Sequence, residues 1–195
     1  MGSIVNRFLS SLGQSYVVQT PADEFAGRRY FRLSTHKQSF AFEVVACKDA
    51  IVSLSNGSHT VAEVIIGAEE NTKTIIRSLE VEQPTQVENS TIGILNCDSR
   101  RGFWIQFVYD FVRFGQGDLN EGLILELHIK FLTVEALSIS TKGVRGIWTL
   151  NQQSGELELS CLHVFFDATE ENYQSGHKGS KSIQLINDLT SIDSV

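Results

Sequence analysis

Four segments of this chain place apolar residues at alternate positions, with a period of two, and this alternation constrains the fold more than any other feature. The segments cover residues 40–46, 103–109, 123–129 and 157–166. They are rich in aromatic and β-branched residues, a composition typical of half-buried strands. Turn-forming pairs such as Asn56-Gly57 and Ser154-Gly155 lie between strand-like segments. The pattern predicts a chain built from short strands.

Short strands separated by Gly and Asn turns favour antiparallel sheets over a parallel α/β sheet. Helical spacing of apolar residues occurs in one place, near the N-terminus. Its apolar positions are Ile4, Val5, Phe8, Leu9 and Leu12. We therefore predict an all-β fold, an antiparallel β-sandwich of jelly-roll-like arrangement, with a short N-terminal helix that packs on the sandwich or docks a partner.

The length of 195 residues suits one large domain with additions at both ends. We predict an N-terminal helix and lead-in over residues 1–29 and a sandwich domain over residues 30–168. Residues 173–182 are polar and rich in Gly and Ser, and the apolar residues after them follow no clear period. Residues 169–195 are therefore predicted to form a polar loop and a loosely attached tail.

The formal net charge of −7 makes nucleic acid and anionic membrane surfaces improbable partners, because the protein field repels both. No apolar run approaches the roughly 20 residues of a membrane helix. The first residues lack the basic region and long apolar core of a secretory signal. We expect a cytoplasmic protein, with secretion open if the N-terminus is incomplete.

The three cysteines are Cys47, Cys97 and Cys161, and none forms a Cys-x-x-Cys pair. A zinc site is therefore not expected. Each cysteine has an apolar strand-like context, in which a free thiol behaves as a small hydrophobic residue. The sequence leaves their redox state open. Two glycosylation sequons, at Asn56 and Asn89, would matter only in a secreted protein.

Between residues 40 and 148 the chain carries an ordered series of short matches to one known family. The matching segments are Phe42–Ala46, Asp49–Ser55, Glu63–Gly67, Asn71–Arg77, Gly93–Leu95, Phe103–Ile105, Val112–Gly117, Ser138–Thr141 and Gly146–Trp148. In this order and spacing the chain resembles the farnesoic acid O-methyltransferase-like domain. It departs from that family after Gly67, where Ala68-Glu69-Glu70 replaces a second glycine and an aromatic residue, and at Ser138, where glycine is common.

The family name implies a methyltransferase that uses S-adenosylmethionine. Such an enzyme needs a Gly-rich turn between a strand and a helix, so that the backbone can approach the cofactor. The candidates here, Gly67-Ala68-Glu69 and Gly115-Gln116-Gly117-Asp118, precede no helical pattern. Neither a nucleophile elbow nor histidines at metal-ligand spacing occur. We predict a protein that is not an enzyme and has no cofactor and no metal, with the methyltransferase as the alternative.

A non-catalytic sandwich of this kind favours ligand recognition, and by analogy with extracellular recognition modules we predict a lectin-like, carbohydrate-binding domain. A sugar site needs an aromatic plate beside planar polar groups. The predicted ligand-binding residues are Asp49, Glu69, Glu70, Asn71, Arg77 and Trp104.

Each of three predicted residues also has a purely structural interpretation. Trp104 fits a second packed layer, Asn71 fits a turn, and Arg77 fits an ion pair with Glu63. A protein-interaction module is a further alternative to the lectin. We also expect a homo-oligomer, a dimer or tetramer, because weak sites gain avidity when they are displayed together.

Overall fold

The computed structural model describes residues 14–22, 28–33, 38–57, 59–80 and 84–152 of the chain. These residues form twelve strands and one short helical turn. The elements are β1 (Gln14–Thr20), β2 (Arg29–Arg32), β3 (Ser39–Val45), β4 (Ala50–Asn56), β5 (His59–Gly67), α1 (Ala68–Asn71), β6 (Lys73–Ser78), β7 (Gln86–Ser90), β8 (Arg101–Val108), β9 (Phe111–Gln116), β10 (Leu123–His128), β11 (Ala136–Thr141) and β12 (Gly146–Gln152).

The strands form two six-stranded sheets. The first sheet has the order β1-β12-β3-β8-β9-β10, and the second has the order β2-β11-β4-β5-β6-β7. All ten described strand pairs are antiparallel. The chain crosses repeatedly between the sheets, as when β3 in the first sheet is followed by β4 in the second. This topology confirms the predicted all-β, jelly-roll-like antiparallel sandwich.

The core lies between the two sheets and is built from the inward parity of each strand. In β3 the buried residues are Phe40, Phe42 and Val44, and they alternate with less buried neighbours. The Phe42 ring lies 5.5 Å from that of Trp148 on β12, centroid to centroid. Because apolar burial is the main stabilising term, this period-two pattern also fixes the register, since a shift of one residue would expose the whole set.

Several predictions concern residues outside the described ranges. The N-terminal helix over Ile4–Leu12 and the tail over residues 169–195 are among them. Within the segment predicted as helix and lead-in, β1 is a strand that pairs with β12, so part of that segment belongs to the first sheet. The predicted domain boundaries otherwise stay predictions. Among the described residues, no helix is long and apolar enough to cross a membrane.

Candidate functional site

The loop after Gly67, predicted as part of a binding site, is a tight turn rather than a regular helix. Glu69, Glu70 and Asn71 have φ values of 50°, 60° and 63°, all in the left-handed region. Gly67 itself has φ of 67°, and a Cβ there would lie 2.7 Å from Leu95 Cδ1. Glycine is therefore required at the start of this turn both by its backbone conformation and by the close approach of Leu95.

The Asn71 side chain connects this turn to the loop that follows β7. Its Nδ2 donates to the Leu95 carbonyl at 2.9 Å, and its Oδ1 accepts from the Leu95 amide at 3.1 Å. The Asn71 carbonyl also accepts from the Gly93 amide at 2.8 Å. Both ends of the amide are thus used within the protein. This is the turn role that was the structural interpretation of Asn71.

The carboxylates of the turn are exposed and paired with lysines. Lys73 Nζ lies 2.6 Å from Glu69 Oε1, and Lys48 pairs with Glu70. Hydrogen bonds to these carboxylates raise the pKa of Lys73 and of Lys48. The Asp49 amide donates to the Gly67 carbonyl at 3.1 Å, and burial raises the pKa of the Asp49 carboxyl. Four of the predicted residues, Asp49 and Glu69 to Asn71, therefore lie together.

Arg77 does not join that group. It lies on β6 with its side chain on the outer face of the second sheet, opposite Glu63 on β5. Its Nε and Nη2 donate to Glu63 Oε2 at 2.9 Å and 2.6 Å. Glu63 is buried, and Ser53 Oγ donates to its other oxygen at 3.1 Å. Arg77 thus forms the ion pair with Glu63 that was its structural interpretation.

Trp104 lies in the first sheet, on the face opposite the core, and its side chain is 1% exposed. Its Nε1 donates to the Glu121 carbonyl at 2.7 Å. Opposite it in the register is Gly115, where a Cβ would lie 2.3 Å from the indole. Trp104 therefore forms a second packed layer, and its ring presents no open face to a ligand.

A set of side chains that was not predicted occupies the outer face of β8, β9 and β10. Gln106, Arg113 and Glu126 are directly opposite one another across these three strands. Arg113 Nε donates to Glu126 Oε2 at 2.5 Å, and its Nη1 donates to Gln106 Oε1 at 3.4 Å. The amide, the guanidinium and the carboxylate form one hydrogen-bonded polar row across the three strands.

Two aromatic rings lie beside that row. Phe111 and His128 are opposite each other on β9 and β10, with ring centroids 5.0 Å apart and planes tilted by 58°. The Arg113 guanidinium carbon lies 5.5 Å from the Phe111 centroid. We call Gln106, Phe111, Arg113, Glu126 and His128 the polar–aromatic face.

The ends of these strands add two exposed aromatic residues. Tyr109, in the β8–β9 turn, is 88% exposed, and Phe131, after β10, is 90% exposed. Asp110 connects the two segments, because its carbonyl accepts from the Ile129 amide at 2.7 Å and its Oδ1 from the Leu132 amide at 3.1 Å. Aromatic surface is therefore available beside the polar–aromatic face.

Strand parity is the signal that could have identified this face. Trp104, Gln106 and Val108 share the outward parity of β8, and His128 points outward on β10. Parity alone does not say which outward residues stay accessible. The fold buries Trp104 beneath the segment that contains Glu121 and leaves Gln106 half-buried. Within the described residues, no group of three or more His, Cys, Asp or Glu side chains is placed to hold a metal ion.

The structure assigns the redox state of two of the three cysteines, which the sequence left open. Cys47 and Cys97 form a disulfide with a Cα–Cα distance of 4.3 Å. Cys47 lies two residues beyond the end of β3, and Cys97 lies two residues beyond Leu95, so the bond anchors the same loop that Asn71 holds. The pairing depends on a tertiary contact across 50 positions in sequence, which spacing alone does not reveal. Cys161 lies outside the described ranges.

A sequence profile described as farnesoic acid O-methyl transferase matches residues 24–154. A search of curated proteins found no significant match. Among solved structures, galectin-Ib of Xenopus laevis is similar at 12% identity, with 63% of this chain and 99% of that chain covered and a TM-score of 0.47.

Two further solved structures resemble the fold at a similar level. Sheep galectin-11, in complex with glycerol, has 9% identity, covers 64% of this chain and 94% of its own, and has a TM-score of 0.45. A prokaryotic β-1,3-1,4-glucanase from a mouse hindgut metagenome has 7% identity, covers 71% and 79%, and also has a TM-score of 0.45. At these scores the likenesses bear on neither ligand nor activity.

Proposed function

This chain belongs to the farnesoic acid O-methyl transferase family by sequence, and from that premise we propose that it is a non-catalytic recognition module that binds carbohydrate. The polar–aromatic face is the observation that carries the proposal. A pyranose presents an apolar C–H face and a ring of hydroxyls, so its site needs aromatic surface beside planar donors and acceptors. Phe111 supplies the first, and Gln106, Arg113 and Glu126 supply the second.

The geometry favours binding because the polar groups are already ordered. Arg113 is held between Glu126 and Gln106 and stacks near Phe111. A ligand hydroxyl that meets such a row finds donors and acceptors whose side-chain entropy has already been lost, which lowers the cost of binding. The His128 ring adds nitrogen atoms that can take part in hydrogen bonds to a ligand.

The residues predicted from sequence have divided roles in this proposal. We propose that Asn71, Arg77 and Trp104 support the fold, because their polar atoms bond within the protein. The exposed carboxylates of Glu69 and Glu70, near Asp49, remain able to accept from hydroxyls at a separate rim. Mutation of that rim tests whether it adds to binding at the polar–aromatic face.

A glycan array tests the proposal with matched variants. The parent is compared with Arg113→Gln, which removes the central donor of the face, and with Arg145→Gln, which removes an exposed arginine elsewhere. We expect bound glycans for the parent and Arg145→Gln and a clear loss for Arg113→Gln. A Glu69→Gln/Glu70→Gln double variant reports on the rim.

Two outcomes would count against this proposal. If the parent binds no glycan, the lectin interpretation fails and a protein partner becomes the leading candidate. If folded Arg113→Gln keeps the parent profile, carbohydrate binding lies elsewhere on the molecule.

The methyltransferase activity in the family name is the competing function. Antiparallel pairing of all described strands supports the non-catalytic proposal, because the doubly wound folds that hold nucleotide-type cofactors are built from parallel strands. Calorimetry with S-adenosylmethionine, followed by a search for a methyl ester product, tests this directly. Micromolar binding together with ester formation would replace the lectin proposal.

We also propose that the chain self-associates as a dimer or tetramer, since shared display raises the avidity of weak sugar sites. Analytical ultracentrifugation at micromolar concentration measures this, and a monomer mass would contradict it.

The disulfide favours an oxidising compartment over the cytoplasm expected from the sequence. Thiol alkylation of the native protein before reduction, followed by peptide mass spectrometry, tests this. We expect Cys47 and Cys97 to be protected. Full labelling of both would favour the cytoplasm.

A further inference from the structure

A cavity of about 470 Å³ opens at the edge of the sandwich, between the end of β7 and the ends of β8 and β9. Its volume lies within the roughly 300–1,000 Å³ range that is usual for small-molecule sites. It is separate from the polar–aromatic face, whose residues do not line it. The lining residues are Ser90, Thr91, Ile92, Gly93, Ile94, Arg101, Gln116 and Ile124.

Arg101 is the ionisable side chain of this lining, and its position is unusual. It begins β8 with the same parity as the core residues Phe103 and Ile105, so it lies on the inward side of the strand. Its Nε is buried and has no hydrogen-bond partner. A buried unpaired donor on a cation costs free energy, so it calls for an explanation.

An oxyanion in the cavity would balance the charge of this guanidinium. A guanidinium presents neighbouring N–H groups as a fork that matches two oxygens of a carboxylate or sulfate. The structure records no ion pair of Arg101 with another described residue, whereas Arg77, Arg100 and Arg113 each pair with a glutamate. Arg101 is thus the arginine of this region whose charge remains available.

The rest of the lining is mixed in polarity. Ser90 and Gln116 offer a hydroxyl and an amide, while Ile92, Ile94 and Ile124 offer apolar surface. A ligand with hydroxyls and a C–H face suits such walls better than a purely apolar or a purely ionic one. The loop that carries Ile92 and Ile94 is held by the bond between the Gly93 amide and the Asn71 carbonyl.

We propose that this cavity binds an acidic sugar, with the carboxylate of a uronic acid or the sulfate of a sulfated sugar paired to Arg101. The proposal rests on the proposed function only for the sugar class. It places the charge-recognising contact at Arg101 and away from the polar–aromatic face. Acidic and neutral sugars should therefore respond to different substitutions.

Isothermal titration with glucuronate, glucose 6-sulfate and glucose tests the proposal in the full chain. The variants are Arg101→Gln, which removes the charge but keeps a polar side chain, and Arg145→Gln as the matched control, since Arg145 is exposed and lies outside both proposed sites. For the parent we expect at least one acidic sugar to bind tenfold or more tightly than glucose. Arg101→Gln should abolish this preference, and Arg145→Gln should keep it.

The two acidic probes identify the source of the anion. Preference for glucuronate alone supports a uronic acid, and preference for glucose 6-sulfate alone supports a sulfated sugar. A parent without preference for either acidic sugar, or Arg101→Gln with the preference intact, would overturn the proposal. If the parent binds no neutral glycan on the array but shows the Arg101-dependent preference, only the proposal for the polar–aromatic face fails.

A measurement on the parent alone covers the case in which Arg101→Gln does not fold. In a ¹H–¹⁵N titration with the preferred acidic sugar, the amides of Thr91, Gly93, Arg101 and Gln116 should shift together. Shifts confined to Arg113, Glu126 and His128 would place the acidic sugar on the other site and overturn the proposal.

Discussion

The outer faces of the two sheets each carry an arginine–glutamate pair, and the comparison between them shows how burial separates a structural ion pair from an accessible one. In the second sheet Arg77 is opposite Glu63, and in the first sheet Arg113 is opposite Glu126. The contact distances are nearly equal, 2.6 Å and 2.5 Å. The arginine side chains are also similarly exposed, at 42% and 38%, but Glu63 is 4% exposed and Glu126 is 37% exposed.

The surroundings of the two carboxylates explain the difference. Glu63 lies on the central strand β5, where Ser53 donates to it and Arg28 lies 3.6 Å away. A buried carboxylate needs this many partners because it has lost its hydration. Glu126 lies on the edge strand β10 and keeps much of its contact with water. The Arg77–Glu63 pair, whose carboxylate is buried, therefore links two strands of the second sheet. The Arg113–Glu126 pair of the first sheet remains accessible.

The largest predicted effect on stability is that of Trp104, a structural residue on the outer face of the first sheet. Trp104→Ala should lower the free energy of unfolding by about 4 kcal/mol, since it removes a fully buried indole and leaves a cavity. Urea denaturation monitored by circular dichroism measures the change. A loss below about 1 kcal/mol would mean that the segment containing Glu121 does not cover the ring in solution.

Arg77→Ala should lower the free energy of unfolding by about 3 kcal/mol, because the buried Glu63 carboxylate loses its closest cation. The matched control is Arg113→Ala, for which we expect a loss of about 0–1 kcal/mol, as for other exposed pairs. Equal losses of stability for the two variants would contradict the distinction between the arginine–glutamate pair with a buried carboxylate and the exposed pair. Glu63→Gln with Arg77→Ala in a double-mutant cycle gives the coupling energy directly.

Arg113→Gln should weaken glycan binding by about tenfold or more, equivalent to about 1.4 kcal/mol, while stability stays near that of the parent. The reason is the loss of the one group that contacts Glu126, Gln106 and Phe111 together. Titration with a glycan identified on the array measures it. Arg77→Lys is the control, since it keeps a cation in the second sheet and should leave affinity unchanged.

The smallest predicted effect on stability concerns Lys48 and Lys73, beside the Gly67 turn. Their ion pairs with Glu70 and Glu69 are exposed, as is the pair of Arg113 with Glu126. The pKa values of Lys48 and Lys73 are raised by Glu70 and Glu69. Their stabilising contribution is therefore fully present below the ordinary lysine pKa of 10.5 and is lost as pH rises through the raised values. The free energy of unfolding, measured at several pH values between about 9 and 12, should decline slightly as the pH rises. Glu69→Gln/Glu70→Gln should reduce that decline, and a decline equal to the parent's would contradict the assignment.

Much of the fold followed from local pattern, and much of the site did not. The alternation in β3 and β8 predicted strands correctly, because burial of one face of a strand produces a period of two. Asn71 is a turn residue, which was its structural interpretation. The role of Trp104 was less accessible to prediction, since outward parity is compatible both with an exposed ring and with a ring covered by another segment.

The sequence by itself determined the all-β class, the antiparallel pairing and the family, because each depends on residues close together in the chain or on their order. Only the tertiary structure decided that Cys47 meets Cys97, that Glu63 is buried while Glu126 is not, and that Arg101 faces a cavity without a partner. These properties depend on distant segments and on access to water. Strand periodicity records which face of a strand a residue occupies, and the packing of other segments decides whether that face remains open.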